Sequence, residues 1–168
     1  PKLESNVCSL INDLKDAGFI GWNEKERHFI GFIRHIVLRS AKFTDQSLCG
    51  IVGGRPAEKN EIRKLAGIAK AHSDDLTGMV FNKNTSTGNF IWGDEFSTIY
   101  GTPVMQEKLG KFTFNFEISS FFQINSGQAL ELYKYASEAA AGDVCGNILG
   151  LYSGAGTLTA FLSERARH

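Results

Sequence analysis

The chain has 168 residues, about the length of one domain, and its 18 basic and 18 acidic residues give a formal net charge of zero. A balanced charge argues against a strongly basic protein that coats nucleic acid and against a disordered polyelectrolyte. Apolar residues make up 42% of the sequence, and 13 Phe beside only 3 Pro indicate a packed globule with considerable β structure.

The cysteines indicate the redox environment. Cys8, Cys49 and Cys145 cannot all pair, and no two of them have C-x-x-C spacing. Neither a secreted disulfide framework nor a self-contained zinc site is expected, so we predict a reduced, cytoplasmic protein. No apolar run reaches the roughly 20 residues of a membrane span, and no membrane partner is expected. The chain opens at Pro1 without Met and stops directly after an amphipathic stretch, so we expect a piece of a longer protein.

The first part of the chain combines one helix with several strands. Apolar residues at helical spacing predict an amphipathic helix over residues 3–17, which Gly18 ends. Residues 29–38 are aromatic and β-branched without clean alternation, which is typical of a strand covered on both faces. Three strands are expected between Gly18 and Gly54.

A surface helix and a hairpin are expected next. Pro56 occupies a first-turn position ahead of apolar residues at helical spacing, which predicts a helix up to about His72. Residues 76–82 and 89–92 flank the turn-rich segment 84–88 and predict the two strands of a hairpin.

The clearest alternation lies in the last third of the chain. Residues 111–118 alternate apolar with polar side chains, a period of two that predicts a strand with one face in the core. Asn125 or Ser126 is then expected to cap a helix that ends near Gly142. The predicted buried stripe of this helix consists of Ala129, Leu132, Tyr133, Ala136 and Ala140.

A glycine loop supplies the first candidate site. Residues 148–152 predict a short apolar strand, residues 153–156 (Ser-Gly-Ala-Gly) a loop and residues 157–166 a helix. Such a loop lets the backbone approach a nucleotide and places helix N–H groups beside it. The third Gly of the dinucleotide fingerprint and the Gly-Lys-Ser/Thr of the phosphate loop are both missing. The loop alone therefore fits a structural turn as well as a nucleotide-type ligand site.

Residues 119–126 (Ser-Ser-Phe-Phe-Gln-Ile-Asn-Ser) lead from the aromatic strand into the next helix. Gln123 and Asn125 are uncharged amides at a place where a side chain could read a base edge or simply cap the helix. The order FFQIN, a helix of about fifteen residues and ILGLYSGAGTLT resembles the RNA uracil-5-methyltransferase family. The same collinear resemblance extends over nearly the whole chain through GFIRHIVLR at 31–39, MVFNKNTSTGNFIWGDEF at 79–96 and IYG at 99–101.

The resemblance implies both a fold and a function. Residues 1–118 would form a central α+β domain with a mixed or antiparallel sheet. Residues 119–168 would form the start of a Rossmann-like methyltransferase domain, truncated after its first strand, loop and helix. The implied methyl donor is S-adenosylmethionine, and the implied reaction is methylation of a uridine at C5 in RNA, with 23S rRNA favoured over tRNA.

The resemblance also assigns site residues by position. Gln123 would face both the methyl donor and the target base, and Phe121 would flank the uracil. The glycines would permit close approach of the donor. The implied donor-binding residues are Gln123, Tyr152, Ser153, Gly154, Gly156 and Thr157.

The nucleophile and the general base are expected outside this chain. In the family, a cysteine thiolate adds to C6 of uracil, and a base later removes the C5 proton. The nucleophile normally lies in a Ser-Cys-Asn-Pro-like motif downstream, and nothing resembling that motif occurs here. Cys49 and Cys145 are therefore interpreted as buried or incidental small apolar residues. The chain on its own is expected to be inactive.

Two further positions bear on cofactors. Cys8 resembles one of the four iron–sulfur ligands of cluster-bearing family members, so a 4Fe-4S cluster is possible in the full-length protein only, because one thiol cannot hold it. For this chain, a core cysteine beside Val7 and Ile11 is the preferred interpretation. Gly150 stands where the family usually carries Asp or Glu.

A basic strip lies on residues 31–42. Arg34 and Arg39, with His35 and Lys42, could contact RNA phosphates, or they could be solvated or salt-bridged charges on a strand. His35 is expected to be a hydrogen-bonded structural histidine.

Two alternatives concern the whole chain. It could act as a non-catalytic RNA-binding or assembly module without methyl chemistry. If the methyltransferase domain is truncated, its single strand would pair with the central sheet or with a second copy, so a dimer or domain swap is expected.

Overall fold

The computed structural model describes residues 2–23, 25, 28–140 and 146–166. No helix in this part of the chain is both long and apolar enough to cross a bilayer. The helices are α1 Lys2–Asp16, α2 Lys59–Ala71, α3 Ser126–Ala139 and α4 Thr157–Ser163. The strands are β1 Gly21–Asn23, β2 His28–Ile30, β3 Ile33–Ser40, β4 Ser47–Gly53, β5 Gly78–Lys83, β6 Glu95–Gly101, β7 Val104–Leu109 and β8 Phe112–Glu117.

A mixed four-stranded sheet forms the centre of the fold. Its strand order is β3-β4-β5-β6, and β4 and β5 are parallel whereas the outer pairs are antiparallel. Parallel neighbours need a crossover connection, which α2 supplies between β4 and β5. Separate antiparallel hairpins consist of β1-β2 and β7-β8. The prediction of an α+β fold with a mixed sheet is confirmed.

Apolar cores lie on both faces of this sheet, because successive strand residues point to opposite sides. Helices α1 and α2 cover one face, where Leu14, Leu65 and Met79 are fully buried. The β7-β8 hairpin, α3 and α4 cover the other face, where Leu48 of β4 is fully buried and Phe161 of α4 is 7% exposed. Strand β4 is consequently buried along its whole length.

The predicted strand over residues 29–38 is wrong in two respects. It is divided into β2 and β3 at Gly31, whose φ is +96° and whose missing Cβ would lie 2.2 Å from the carbonyl oxygen of Phe19. Four strands instead of three therefore lie between residues 18 and 54. The strand that is covered on both faces is β4, whereas β3 is only half-buried.

The predicted hairpin has its first strand in place but not its second. Strand β5 pairs with β6, and residues 84–94 form a long loop between them. Buried Asn82 closes this loop, because its amide donates to the carbonyls of Gly93 and Glu95 and its oxygen accepts from the Gly93 N–H. Asn84 likewise donates to the carbonyls of residues 90 and 91.

The helix predictions hold with small corrections. Helix α2 begins after Glu58, so Pro56 precedes the first turn instead of occupying it. Asn125 caps α3, since its side-chain oxygen accepts from the Gln128 N–H at 3.1 Å. Within the predicted stripe of α3, Leu132 is 57% exposed and Ser137 is buried instead.

The predicted strand over residues 148–152 does not form. Leu149 and Leu151 are 83% and 74% exposed, and no strand of the described chain pairs with this segment. A strand needs a neighbour for its backbone hydrogen bonds, and none lies alongside. The following helix, α4, is shorter than predicted and ends at Ser163.

Candidate functional site

The Gln123 segment, residues 119–126, connects β8 to α3. A turn precedes it, in which the Ser120 N–H donates to the Glu117 carbonyl at 3.1 Å. Phe122 is buried and stacks on Phe116 with the ring centroids 4.3 Å apart. Gln123 is exposed and so is Phe121, at 74%. Phe121 and Gln123, which are predicted to bind the base and the donor, are therefore exposed on either side of the buried Phe122.

A cavity of about 420 Å³ lies beside this segment. Phe116 and Phe122 form part of its apolar wall. Its polar lining includes the side chains of Arg39, Glu107 and Gln123. The volume is of the size that accommodates a small ligand.

Glu107 is the most buried charged residue of the site, at 1% exposure. Its carboxylate accepts hydrogen bonds from the N–H groups of Lys42, Phe43 and Lys108 at 2.8 to 3.0 Å. The hydroxyl of Ser126 donates the fourth bond at 2.6 Å. The buried negative charge of Glu107 is tolerated because all four partners donate hydrogen bonds to the carboxylate.

Glu107 is not among the residues predicted from the sequence, and Ser126 is predicted only as a possible cap. A signal for Glu107 was present in the alternation of β7, where Met105, Glu107 and Leu109 share the inward register and are all buried. A carboxylate at an inward position of an otherwise apolar face is a sign that donors converge on it.

The glycine loop has an unusual backbone. Tyr152, Gly154 and Gly156 have φ values of +53°, +55° and +73°. The Tyr152 side chain is fully exposed, and Ser153 is exposed as well. Side-chain atoms do not cover the loop, so its backbone is open to a ligand.

The loop lies against the Gln123 segment at one point. A Cβ added to Gly154 would lie 3.9 Å from the carbonyl oxygen of Phe121. The Thr157 hydroxyl, just beyond the loop, donates to the Tyr133 hydroxyl of α3 at 3.0 Å. The structure thus brings Phe121 and the loop together. Gln123 instead lines the cavity, to which none of the described residues 152–157 contributes.

Both predicted phosphate-contacting arginines bind carbonyls of this chain. The Arg34 guanidinium donates to the Asn84 and Ser86 carbonyls at 2.8 and 2.7 Å. Arg39 donates to the Glu117 and Ser120 carbonyls at 3.2 and 2.6 Å. Half-burial lowers the pKa of Arg39 from its ordinary value by desolvation. Contact of either residue with RNA stays a prediction.

The remaining residues of the basic strip differ in their surroundings. His35 is exposed and its side chain makes no hydrogen bond with the described residues, so its predicted role as a hydrogen-bonded structural histidine is wrong. The Lys42 ammonium lies 5.4 Å from the centre of the Phe43 ring, and the Lys42 backbone N–H binds Glu107.

The cysteines give a mixed outcome. Cys8 is exposed on α1, so the expected core position is wrong. Within the described part of the chain no group of three potential metal ligands occurs, and a single thiol does not fit a 4Fe-4S cluster. Cys49 is fully buried, as predicted, and burial raises the pKa of its thiol to about 12. Cys145 lies outside the described residues.

Known proteins resemble this chain in both sequence and fold, although no family model matches it. An uncharacterized RNA methyltransferase of Staphylococcus epidermidis is 31% identical over 148 residues, covering 88% of this chain and 32% of the relative. The tRNA (uracil(54)-C(5))-methyltransferase of Pyrococcus horikoshii is 32% identical over 144 residues, covering 86% and 32%. The crystal structure of Pyrococcus abyssi tRNA (uracil-54, C5)-methyltransferase in complex with S-adenosyl-L-homocysteine superimposes with a TM-score of 0.68 at 26% identity, covering 93% and 36%.

The proteins that this chain resembles are all named as RNA methyltransferases. The chain spans about a third of the length of the relatives it matches. Over that shared part it is similar to RNA methyltransferases that include the tRNA (uracil-54, C5)-methyltransferases, which confirms the resemblance to the RNA uracil-5-methyltransferases.

Proposed function

We propose that this chain is part of an RNA methyltransferase that transfers a methyl group from S-adenosylmethionine to C5 of a uridine. The observation that carries the proposal is the proximity of the glycine loop to the Gln123 segment, where a Cβ added to Gly154 would lie 3.9 Å from the Phe121 carbonyl oxygen. Two sequence motifs that are 30 residues apart in the chain thereby become neighbours. The S-adenosyl-L-homocysteine bound to the Pyrococcus abyssi enzyme supports the choice of donor.

The residues of the loop fit a donor that is held by backbone atoms. Gly154 and Gly156 carry positive φ angles, and a Cβ on Gly156 would meet nothing within 4 Å. In the proposal, Tyr152, Ser153 and Thr157 line the donor, and Gln123 contributes its amide. Residues 119–168 would be the start of a Rossmann-like domain that follows a central domain over residues 1–118.

The proposed reaction needs groups that this chain does not offer. A thiolate adds to C6 of the uracil, and C5 then attacks the methyl carbon of the donor, whose methyl–sulfur bond breaks to release S-adenosylhomocysteine. A base removes the C5 proton as the thiolate leaves C6. Cys49 is not a candidate nucleophile, because its buried thiol with a pKa of about 12 remains protonated. We therefore propose that the chain alone is inactive and that the full-length cytoplasmic protein is the enzyme.

The RNA substrate has two candidates. The sequence resemblance favours 23S rRNA, whereas the Pyrococcus horikoshii and Pyrococcus abyssi relatives are both named for uracil 54 of tRNA. The test is to incubate the full-length protein with labelled donor and either RNA, and to quantify 5-methyluridine by mass spectrometry. Product on one RNA alone identifies the substrate, and absence of 5-methyluridine on both contradicts the proposal.

The role of Gln123 is tested in the same assay. We expect Gln123→Ala to lower kcat/KM at least tenfold, in line with a lost substrate hydrogen bond of about 1.5 kcal/mol or more. Gln128→Ala is the matched control, because Gln128 is also an exposed amide and lies only five residues further along. Equal activity of the two variants would remove Gln123 from the site.

A non-catalytic RNA-binding module is the competing function. Calorimetric titration of this chain with S-adenosylmethionine and with RNA, in separate experiments, distinguishes the two. Donor binding with little RNA affinity supports the methyltransferase, and RNA affinity without donor binding supports the module.

A further inference from the structure

The Gln123 segment has almost no backbone support of its own. Between the Ser120 N–H, which closes the preceding turn, and the Asn125 carbonyl, which begins the hydrogen bonds of α3, residues 121–124 make no backbone–backbone hydrogen bond with the described chain. Gln123 and Ile124 are exposed, so packing does not hold them either. Apart from buried Phe122, the position of this stretch depends on side chains that grip its two ends.

Arg39 of β3 holds the first end. Its guanidinium donates to two carbonyls of the turn, those of Glu117 and Ser120, and lies 5.4 Å from the ring centre of Phe116. Phe116 in turn stacks on Phe122. The cation therefore fixes the turn together with Phe122, a buried side chain of the Gln123 segment.

Glu107 of β7 holds the second end. Its carboxylate accepts the Ser126 hydroxyl at the first position of α3 and also binds the N–H groups of Lys42 and Phe43. The start of α3 is thereby tied both to β7 and to the loop after β3. Gln123 lies three residues from the Ser120 anchor and three from the Ser126 anchor.

We propose that Arg39 and Glu107 are positioning residues that hold the two ends of the Gln123 segment and so place the Gln123 amide for methyl transfer. This inference rests on the function proposed above. It gives Arg39 a role other than the phosphate contact that the sequence indicates. Arg39 and Glu107 both line this cavity. One terminal nitrogen of the Arg39 guanidinium holds both carbonyls, and the Glu107 carboxylate is filled by donors of this chain, so both side chains support the Gln123 segment.

The charges of the residues that line the cavity are consistent with this positioning role. Glu107 and Arg39 line the same cavity, and the buried carboxylate disfavours a phosphate there because like charges repel. Catalysis is sensitive to placement, and a displacement of about 1 Å can cost about a hundredfold in rate. Residues that hold an otherwise unsupported segment are therefore expected to act on kcat.

The test uses the full-length protein with Arg39→Met, Arg39→Lys, Glu107→Gln and Ser126→Ala. We expect Arg39→Met, Glu107→Gln and Ser126→Ala to lower kcat about 10- to 100-fold. Arg39→Lys is expected to recover part of the loss, because an ammonium can still donate to one carbonyl. Arg63→Met is the control, since Arg63 is exposed on α2 and its side chain bonds, among the described residues, only to Asn60 in the same helix.

Donor-binding stoichiometry separates positioning from mere stability. A variant that is partly unfolded binds less than one donor per chain, whereas a displaced Gln123 leaves the stoichiometry at one and lowers kcat. Ser126→Ala removes a single hydroxyl. If the Arg39 variants do not fold, this variant distinguishes a positioning role from a contribution to stability. Full stoichiometry with kcat within twofold of the wild type overturns this inference alone. A wild-type protein that makes no 5-methyluridine overturns the proposed function and this inference with it.

Discussion

Several buried polar side chains bind backbone groups of loops, which lack the regular hydrogen bonds of a helix or strand. Glu107 binds the N–H groups of the loop after β3, and Asn82 and Asn84 bind the loop after β5. Within the described part of the chain, every buried side-chain nitrogen and oxygen has a partner. Only these bonds offset the free-energy cost of burying such polar groups. Each of these side chains is therefore stable in the interior only while its loop holds the observed conformation.

Asn84 provides a direct measure of this effect. Its amide donates to the Phe90 and Ile91 carbonyls, its oxygen accepts from the Ser86 N–H, and the residue is 2% exposed. We expect Asn84→Ala to lower the free energy of unfolding by about 2–3 kcal/mol, because buried polar groups lose their partners. Urea denaturation measures the change.

Asn89→Ala in the same loop is the control for that variant. Asn89 is exposed and makes no hydrogen bond with the described residues, so we expect a change within about 0.5 kcal/mol. Equal losses at the two positions would mean that the loop is not held by the Asn84 side chain.

Cys49 is expected to be chemically inert in the folded protein. Burial raises the pKa of its thiol to about 12, so at pH 8 only about one molecule in ten thousand carries the reactive thiolate. In Cys8→Ser/Cys145→Ser, where Cys49 alone remains, Ellman's reagent at pH 8 should react only after urea is added. The fraction of thiolate rises tenfold for each unit of pH, so any slow labelling should accelerate toward pH 10.

The matched variant Cys49→Ser/Cys145→Ser leaves only the exposed Cys8. It should react at once under the same conditions. Rapid labelling of Cys49 in the native protein at pH 8 would show that its surroundings open far more readily than the packing indicates.

Only some of the site residues could be predicted from the sequence, and the reason is physical. Gln123 and the glycine loop were found because short motifs carry them in a fixed order. Glu107 was missed because its donors come from residues 42, 43, 108 and 126, and three of these are backbone N–H groups. Backbone donors leave no trace in residue type, so such a partner set becomes visible only in the fold.

At the scale of elements, periodicity predicted what local sequence controls. The alternation of residues 111–118 corresponds to β8, and helical spacing gave α1, α2 and α3 within a few residues. Which segments pair as strands was predicted less well. Residues 89–92 are apolar enough for a strand, yet Asn82 and Asn84 direct that stretch into a loop, and β6 pairs instead. Residues 148–152 have strand-like composition without a partner strand.

Two glycines show how differently the same substitution acts in two elements. Gly78 begins β5, and an added Cβ would lie 1.9 Å from the Thr102 carbonyl oxygen. Gly67 lies on the exposed side of α2 with nothing within 4 Å. We expect Gly78→Ala to destabilise the protein by more than about 2 kcal/mol through forced backbone movement, and Gly67→Ala to stabilise it by about 0.5–1 kcal/mol. Thermal melts of both variants measure the difference.

The opposite signs make that pair of variants a test of element placement. A neutral Gly78→Ala would indicate that β5 and residue 102 are further apart than described. Loss of stability in Gly67→Ala would contradict an exposed, regular helix at that position.

At the scale of the whole molecule, one core extends across the proposed boundary between residues 118 and 119. Leu48 and Val80 belong to the central sheet, and they share a cluster with Phe122, Tyr133 and Phe161 from the later segment. Each such side chain contributes about 1.5–3 kcal/mol when it is buried. Since domains are stable by only about 5–15 kcal/mol, the first segment is expected to depend on the second.

A chain that ends at residue 118 tests this dependence. We expect it to melt at a lower temperature than residues 1–168 and to aggregate in size-exclusion chromatography, because the face with Leu48 and Val80 loses its cover. A chain that ends at residue 140 keeps α3 but loses Phe161 of α4, and its melting temperature should lie between the two. A monomeric 1–118 fragment that melts at the temperature of the whole chain would instead show that residues 1–118 fold as an autonomous domain, with the later helices merely docked on it.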